Sequence, residues 1–515
     1  MMNKESVKTG STSKIEKNTK IQNNSKTNVN SKTDRNTTIQ NDLKTDRNAK
    51  IQNNSKTMTK SGNKNNREII IEILIQVLEE GRLSHLVIRD KLEQYNFLEK
   101  QDKAFINRVS EGTIERKITI DYIIDEFSKT KVKKMKPLIR ELLRMSVYQI
   151  MYMESVPDSA VCNEAVKIAK KRGFSNLSGF VNGVLRNISR NKDNIKYPDI
   201  NKDKIHFYSV RYSVPEWLIS SFIRDYGEDI TIGMLDSMFI EEDKKVTVRI
   251  NTSKARPDNV ISMLEEQGIH TVESEFADNA LIISGYDNID NIEAFRKGYI
   301  QIQDISSMLV GQISGIKENM VCIDMCAAPG GKSMHMADLL NGTGMVYSRD
   351  LTDSKVKMIE ENVARCGFNN ITVERQDATV YVNKDDEKAD IVIADVPCSG
   401  MGVLRKKTDI KYNISEDSVK ELAKISQNIL KNAVKYLKKG GILIFSTCTM
   451  NRLENDKTRE WLINEMGLEP ADFTEYLDNG ILDIKMNRES VKKGYVQLFM
   501  NRDFDGFYIS KFIKR

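Results

Sequence analysis

The stretch that decides the fold is VCIDMCAAPGGK, residues 321–332. A short apolar run ends in an acid, and small residues with two glycines then lead into a helical stretch. Small residues let a backbone approach a ligand closely, and a helix N-terminus favours negative charge. Further short apolar runs, separated by helical stretches, follow at 344–347, 371–374, 390–394 and 442–446. Residues 316–515 are therefore predicted to form a doubly wound α/β (Rossmann-like) domain with a parallel sheet, which binds ligands at the carboxyl ends of its strands.

Acids stand at or just after the ends of the first four of these runs, namely Asp324, Asp350, Asp377 and Asp395. Asp350 lies 18 residues beyond Lys332, a spacing that suits a carboxylate on a ribose hydroxyl pair. A P-loop would need glycine at the position of Cys326, and the G-x-G-x-x-G pattern of dinucleotide sites is absent. S-adenosylmethionine is therefore the nucleoside cofactor that the pattern favours.

Two cysteines occupy matching positions, Cys398 after the fourth apolar run and Cys448 after the fifth. One cysteine is usually a small buried hydrophobe, but two beside Asp395 favour a chemical role. A thiolate that adds to carbon 6 of cytosine makes carbon 5 nucleophilic toward a methyl sulfonium, and a nearby acid can stabilise the attacked ring. The pair predicts cytosine carbon-5 methylation, while the chemistry alone leaves open which thiol attacks.

Two further regions precede this domain. Residues 67–192 are predicted to be helical throughout; one strong segment, 138–151, is opened by Pro137. Residues 193–315 are predicted to form a linker, with a connector between Pro198 and Pro215, followed by a small α+β unit. In that unit, 245–250 and 299–302 alternate with period two and flank a helical stretch at 257–267.

The N-terminal segment, residues 1–66, has no aromatic residue and is rich in Asn, Lys, Thr and Ser, which predicts a disordered tail. This segment carries 12 Lys and 2 Arg against 5 acidic residues, a net charge of +9. Because the whole chain has a net charge of +6, the remaining residues carry −3. This tail could contact RNA phosphates or be a solvated extension. The six cysteines lack C-x-x-C spacing, and apolar runs of membrane-spanning length and a signal peptide are absent. We therefore expect no metal, no membrane contact and a cytoplasmic protein with reduced thiols.

The motifs resemble those of the RNA cytosine-5 methyltransferases of the RsmB (Sun, Fmu) type. Asp395 to Gly400 resembles the family's fourth motif, and Ser446 to Thr449, followed by Glu454 and Asn455, resembles its sixth. Gly298 to Ser306 resembles the segment leading into the catalytic domain, and Asp505 to Tyr508 resembles a closing strand. The cofactor motif is matched by Asp324, Cys326, Ala327, Ala328, Pro329, Gly330, Gly331 and Lys332.

The helical region strengthens this resemblance. Asn163 to Val166 and Phe180 to Arg186 resemble a NusB-like RNA-binding domain, which in this family accompanies the 16S ribosomal RNA enzyme. The resemblance therefore implies a monomeric enzyme that methylates carbon 5 of a specific cytosine in 16S ribosomal RNA. A cytosine-5 methyltransferase for another RNA, such as transfer RNA, and a non-catalytic RNA-binding assembly factor remain alternatives.

The resemblance also implies roles for individual residues. Cys448 would be the nucleophile, Cys398 would help to release the product, and Asp395 would activate the base. Residues 326–332, Asp350, Asp377 and Asp395 would hold S-adenosylmethionine. The chain departs from the family pattern after the fourth motif, where Arg-Arg-Pro-Asp is frequent and this sequence has Arg405-Lys406-Lys407-Thr408-Asp409, and at Tyr412, where Trp is usual.

Overall fold

The structure is a computed structural model that describes residues 65–239, 245–484 and 487–515. The predicted tail lies outside the described residues except for its last two positions. Asn65 caps the first helix by accepting a hydrogen bond from the backbone N–H of Arg67, and the helix begins at Asn66. The first described helix thus includes Asn66, the last residue of the predicted tail.

The first region is helical, as predicted. Its helices are α1 (Asn66–Leu74, continued by a wider π turn over Ile75–Glu79), α2 (Ser84–Gln94), α3 (Lys100–Glu115), α4 (Lys117–Phe127), α5 (Pro137–Tyr152), α6 (Asp158–Lys171) and α7 (Ser178–Asn191). Helix α5 lies at the centre, and Leu142, Leu143 and Met145 are fully buried. A Cβ atom on Gly112 of α3 would lie 2.1 Å from the ring of Tyr148. Glycine at this position therefore allows α3 and α5 to pack closely.

The predicted connector instead contains helix α8 (Lys204–Tyr212), which is followed by α9 (Glu216–Tyr226) and α10 (Glu228–Ser237). Tyr208 and Leu218 from these helices share an apolar cluster with Met401, Leu404 and Met450 of the catalytic domain. The prediction of a connector was wrong because the surface that buries these helices lies almost 200 residues further along the chain.

The α+β unit is present. Strands β1 (Val246–Ile250), β2 (His270–Glu273), β3 (Ala280–Ser284) and β4 (Ile300–Ile302) form an antiparallel sheet in the order β2-β3-β1-β4. Helix α11 (Pro257–Glu266) connects β1 to β2, and the short helix α12 (Glu293–Arg296) precedes β4. Helix α13 (Ile305–Gln312) then leads into the catalytic domain and is buried in its core.

The catalytic domain is the predicted doubly wound sheet. Its parallel strands are β5 (Val321–Asp324), β6 (Met345–Asp350), β7 (Ile371–Arg375), β8 (Ala389–Asp395) and β9 (Leu437–Thr447). Helices α14 (Gly331–Leu339) and α15 (Asp353–Cys366) pack on one face together with α13. The other face is covered by α17 (Glu416–Tyr436) and α18 (Asp456–Asn464), and the short α16 (Ile410–Asn413) precedes α17. Helices on both faces explain why the central strands are continuous apolar runs.

The sheet continues beyond the parallel strands. Strand β12 (Phe507–Ile513) pairs antiparallel with β9, and β10 (Glu469–Pro470) and β11 (Tyr495–Leu498) pair antiparallel with β12. Short helices α19 (Asn479–Leu482) and α20 (Asn487–Lys492) precede β11. The full strand order is β10-β12-β9-β8-β5-β6-β7. Among the helices of the described ranges, none combines the length and apolar character needed to cross a membrane.

Candidate active site

The strand order brings the sequence-predicted residues to one edge of the sheet. Strand β5 lies between β6 and β8, and β9 lies beside β8. The chain therefore leaves β5 at Asp324, β8 at Asp395 and β9 at Thr447 on the same side. The carboxyl ends around a switch in strand order form the usual ligand crevice of such sheets.

The turn after β5 is held by backbone hydrogen bonds to the neighbouring strands. The N–H of Met325 donates to the carbonyl of Ile393 at 2.9 Å, and that of Ala327 donates to Arg349 at 2.8 Å. Gly330 has φ of 102°, a conformation that glycine tolerates and that starts α14 at Gly331. The turn from Cys326 to Lys332 is thus tied to β8 on one side and to β6 on the other.

Asp350 connects this turn to the end of β6. Its carboxylate accepts hydrogen bonds from the backbone N–H of Ala328 at 3.0 Å and of Leu351 at 2.7 Å, and it pairs with Lys355 Nζ at 3.0 Å. A carboxylate offers about four acceptor positions, so it retains capacity for a ligand hydroxyl. Asp377 lies after β7, is exposed and accepts from the N–H and hydroxyl of Thr379.

Asp324 lies beneath the turn rather than on its surface. Its Oδ2 accepts from Ser333 Oγ at 2.7 Å, and Ser333 contacts Ser348 Oγ at 2.8 Å. Burial raises the pKa of Asp324 to about 7. Its Oδ1 is buried and has no hydrogen-bond partner in the described part of the chain. This buried oxygen marks a polar position under the turn that the protein itself leaves unsatisfied.

Lys332 and Asp395 form an ion pair at the end of β8. Lys332 Nζ lies 2.7 Å from Asp395 Oδ2, and Ser446 Oγ donates to Asp395 Oδ1 at 3.1 Å. Burial alone would lower the pKa of Lys332, but the negative charge of Asp395 outweighs it, so the pKa is raised. The ammonium group therefore stays charged and neutralises Asp395 in the half-buried site.

The two predicted cysteines meet directly. The Sγ atoms of Cys398 and Cys448 are 3.4 Å apart, and both side chains are half-buried. The sulfur contact with Cys448, together with burial, raises the pKa of Cys398 well above its usual range. Cys398 is accordingly held as a neutral thiol.

A hydrogen-bonded cluster joins the segments that carry the two thiols. Glu454 accepts from the N–H of Ser399 at 2.8 Å and from its hydroxyl at 2.5 Å, and that hydroxyl lies 2.7 Å from Thr449 Oγ1. Burial raises the pKa of Glu454 to about 7. Sequence analysis included Glu454 only as part of a motif, and its contact with the Cys398 segment becomes visible only in the fold.

The loop after Cys398 is fixed at several further points. The N–H of Gly402 donates to the carbonyl of Cys448 at 3.0 Å. Lys406 Nζ then bridges Asp304 and Asp505, each at 2.7 Å. Sequence analysis missed this bridge because it joins three segments separated by about 100 residues each, and the departure from the family pattern at Lys406 was the available signal. Within the described ranges, no group of three or more His, Cys, Asp or Glu could hold a metal ion.

The fold and this edge of the sheet define the class of protein. The domain has a doubly wound sheet, a glycine turn after its first strand and acids at neighbouring strand ends, and a helical region and an α+β unit precede it. This is the architecture of a multidomain Rossmann-like methyltransferase. The family described as "16S rRNA methyltransferase RsmB/F" matches residues 313–513. The NusB family matches residues 64–190, and the RsmF/B-like ferredoxin-like domain matches 214–290.

Individual proteins agree with this assignment. The chain is 35% identical over 452 residues to "Probable ribosomal RNA small subunit methyltransferase B" of Bacillus subtilis, covering 87% of this chain and 98% of that protein. It is 28% identical to a protein of the same name from Synechocystis, over 78% of this chain and 89% of the relative. The solved structure of PH0851 superimposes with a TM-score of 0.71 at 25% identity, covering 88% of this chain and all of that one.

The chain belongs to the RsmB/F family of 16S rRNA methyltransferases. The predicted family, fold class and enzyme class are thereby confirmed. The domain boundaries and the roles assigned to individual site residues stay predictions.

Proposed function

We propose that this protein methylates carbon 5 of a cytosine in small-subunit ribosomal RNA, with S-adenosylmethionine as the methyl donor and Cys448 as the covalent nucleophile. The observation that carries the proposal is the 3.4 Å contact between the thiols of Cys448 and Cys398 beside the Lys332–Asp395 ion pair. Family membership supports the substrate class.

The turn after β5 fits a nucleoside cofactor. Residues 326–332 would pass beneath it, the remaining acceptor position of Asp350 would bind a ribose hydroxyl, and Asp377 would lie near the base. The unsatisfied Oδ1 of Asp324 supports a polar group bound next to the turn. S-adenosylmethionine, when bound there, supplies an electrophilic methyl group for the cytosine held at the adjacent pair of thiols.

The chain's own residues would then divide the chemistry. The Cys448 thiolate adds to carbon 6 of the cytosine, while Asp395, paired with Lys332, accepts from the exocyclic amine and delivers a proton to ring nitrogen 3, which neutralises the charge on the attacked ring. Carbon 5 becomes nucleophilic and takes the methyl group. The carbon-5 proton then passes to solvent water and the proton on nitrogen 3 returns to Asp395, so that the Cys448 sulfur leaves carbon 6 as a thiolate, and Cys398 would assist this release. The target base must leave its stack to reach the thiol.

A basic groove next to the loop after Cys398 supports an RNA substrate. Its lining includes one face of the small antiparallel sheet and more cations than acids, namely Lys245, Arg405, Lys406 and Arg502 against Asp304 and Asp503. Val272, which pairs with Ile282 on that face, is 61% exposed. Cations beside an open sheet face suit contacts with the phosphates and bases of an unpaired RNA segment.

The proposal is tested by incubating the purified protein with labelled S-adenosylmethionine and small-subunit ribosomal RNA from cells that lack it. We expect one cytosine to be methylated, which bisulfite sequencing would locate. Methylation of transfer RNA instead would show that the alternative substrate is correct. Failure to bind S-adenosylmethionine in calorimetry, with RNA binding retained, would identify a non-catalytic assembly factor.

A further inference from the structure

We propose that the NusB-like helical domain, residues 65–191, is a positioning part of the active site because it holds the loop that carries Cys398. This active-site loop is defined as residues 398–412. The inference rests on the proposed function, because Cys398 is assigned its role there. It assigns Asp409 and Lys411 as positioning residues that act through this loop.

One end of the loop touches the reacting groups. Cys398 Sγ lies 3.4 Å from Cys448 Sγ, and Gly402 N–H donates to the Cys448 carbonyl at 3.0 Å. The Gly402 carbonyl accepts from Gly506 N–H at 2.9 Å. A displacement of the loop would therefore change the geometry of both thiols.

The other end of the loop caps helix α2 of the helical domain. Asp409 is 1% exposed, and its two carboxylate oxygens accept hydrogen bonds from the backbone N–H of Ser84 at 3.2 Å and from its hydroxyl at 2.6 Å. Ser84 is the first residue of α2. A carboxylate at a helix N-terminus satisfies a free N–H group and interacts favourably with the helix dipole. Asp409 supplies this capping group from a different domain.

Lys411 makes the complementary contact at the end of helix α3. It is fully buried, and its Nζ donates to the carbonyl of Glu115, the last residue of α3, at 2.9 Å. The Tyr412 hydroxyl donates to the same carbonyl at 3.0 Å. These donors satisfy a carbonyl at the helix C-terminus that has no partner within the helix. Three residues within positions 409–412 thus bind the N-terminus of one helix and the C-terminus of the next.

These contacts fix the orientation of the active-site loop relative to the helical domain, in addition to attaching the loop to it. An apolar interface would bury the same surface without defining a register, whereas hydrogen bonds to two helix ends do define one. Burial lowers the pKa of Lys411 to about 7, against the opposing influence of Glu115, so this amine is held at a cost that an apolar residue would not incur. A domain that binds RNA would therefore be mechanically connected to the Cys398 thiol.

The test uses the full chain with Asp409→Asn, Lys411→Met and Ser84→Ala, compared with Asp417→Asn. Asp417 is 88% exposed and pairs only locally, with Lys420, so its variant is a matched control. Thermal unfolding identifies the variants that fold. The kcat and KM for methylation of small-subunit RNA and the rate at which the covalent protein–RNA adduct breaks down are then measured for each.

We expect Asp409→Asn and Lys411→Met to lower kcat and slow adduct breakdown by about tenfold or more, because a small misplacement of a catalytic group has effects of this size. The KM for RNA should change by less than about threefold. Ser84→Ala, which leaves the backbone N–H in place, should show the same pattern more weakly and serves if the other variants do not fold.

Wild-type kcat and adduct lifetime in folded variants, or an increase in KM alone, would overturn the positioning role. Absence of methylation by the unaltered protein would instead contradict the proposed function, so the two failures are distinguishable.

Discussion

The Sγ atoms of Cys398 and Cys448 lie 3.4 Å apart at the carboxyl ends of adjacent parallel strands, although 50 residues separate them in the chain. Strands β8 and β9 pair from Ile391 with Ile442 to Asp395 with Ser446, which brings the segments after them together. The contact, together with burial, raises the pKa of Cys398, and the proposed function gives the two thiols different roles.

Substitution of each cysteine should therefore have a different effect. We expect Cys448→Ala to abolish methyl transfer and adduct formation, because the nucleophile is lost. Cys398→Ala should form an adduct with RNA that accumulates and resists denaturation, visible as a shifted band on a denaturing gel. Accumulation with Cys448→Ala instead would show that the roles are reversed.

Asp395 should be needed for catalysis rather than for folding. Asp395→Asn is expected to lower kcat by about 100-fold or more, because an amide cannot deliver a proton to ring nitrogen 3 of the attacked base. Asp390→Asn is a matched control, because Asp390 lies on the same strand and pairs with Lys438 at 2.7 Å, at the opposite end. Steady-state methylation rates are measured for both variants. Equal losses of kcat in the two variants would contradict a catalytic role for Asp395.

Asp350 should determine cofactor affinity. Asp350→Ala removes the acceptor for Ala328 and Leu351 and is expected to weaken S-adenosylmethionine binding by about 10-fold or more in calorimetry. Asp353→Ala is the control, because that carboxylate is 81% exposed and pairs with Arg375 on the surface. An unchanged dissociation constant for Asp350→Ala would exclude a role in cofactor binding.

The close approach at Gly402 should tolerate no side chain. A Cβ atom there would lie 1.8 Å from the Gly506 carbonyl oxygen and 2.9 Å from that of Cys448. Gly402→Ala is expected to lower kcat by about 10-fold or more, because the backbone beside the nucleophile must move. Gly233→Ala in α10 has no atom within 4 Å of its new Cβ and should leave kcat unchanged. Similar activities of the two variants would refute the steric argument.

Glu454 should make stability depend on pH. Its folded pKa of about 7 is above its ordinary value, so the folded state binds its proton more tightly than the unfolded state does. The contribution of Glu454 to the free energy of unfolding is fully present below about pH 4.5. It decreases by about 3 kcal/mol as the pH rises through 7.

The Glu454→Gln variant tests this dependence, because its side chain cannot ionise. As the pH rises from 5 to 7.5, the thermal unfolding midpoint of this variant should rise relative to that of the unaltered protein. Glu460→Gln, in an exposed pair with Lys457, should show no such trend. A constant difference for Glu454→Gln would mean that Glu454 is ionised throughout.

Much of the architecture was predictable because it follows local patterns. The helical region, the alternating strands of the α+β unit and the buried runs of the parallel sheet each have a characteristic spacing of apolar residues. Helix α8 was missed because its apolar side chains are covered by Met401 and Met450, which no local pattern indicates. The antiparallel pairing of β12 with β9 is likewise a long-range choice.

The sequence by itself determined the class of fold, the turn of residues 326–332 and the candidate acids and thiols, because these depend on residue type and short spacings. Only the tertiary structure decided which of them meet. It buried Asp324 beneath the turn, paired Lys332 with Asp395, and set Asp409 and Lys411 against the ends of two helices of another domain. Such contacts join segments up to 325 residues apart, and they arise from how whole domains pack rather than from any periodicity within a segment.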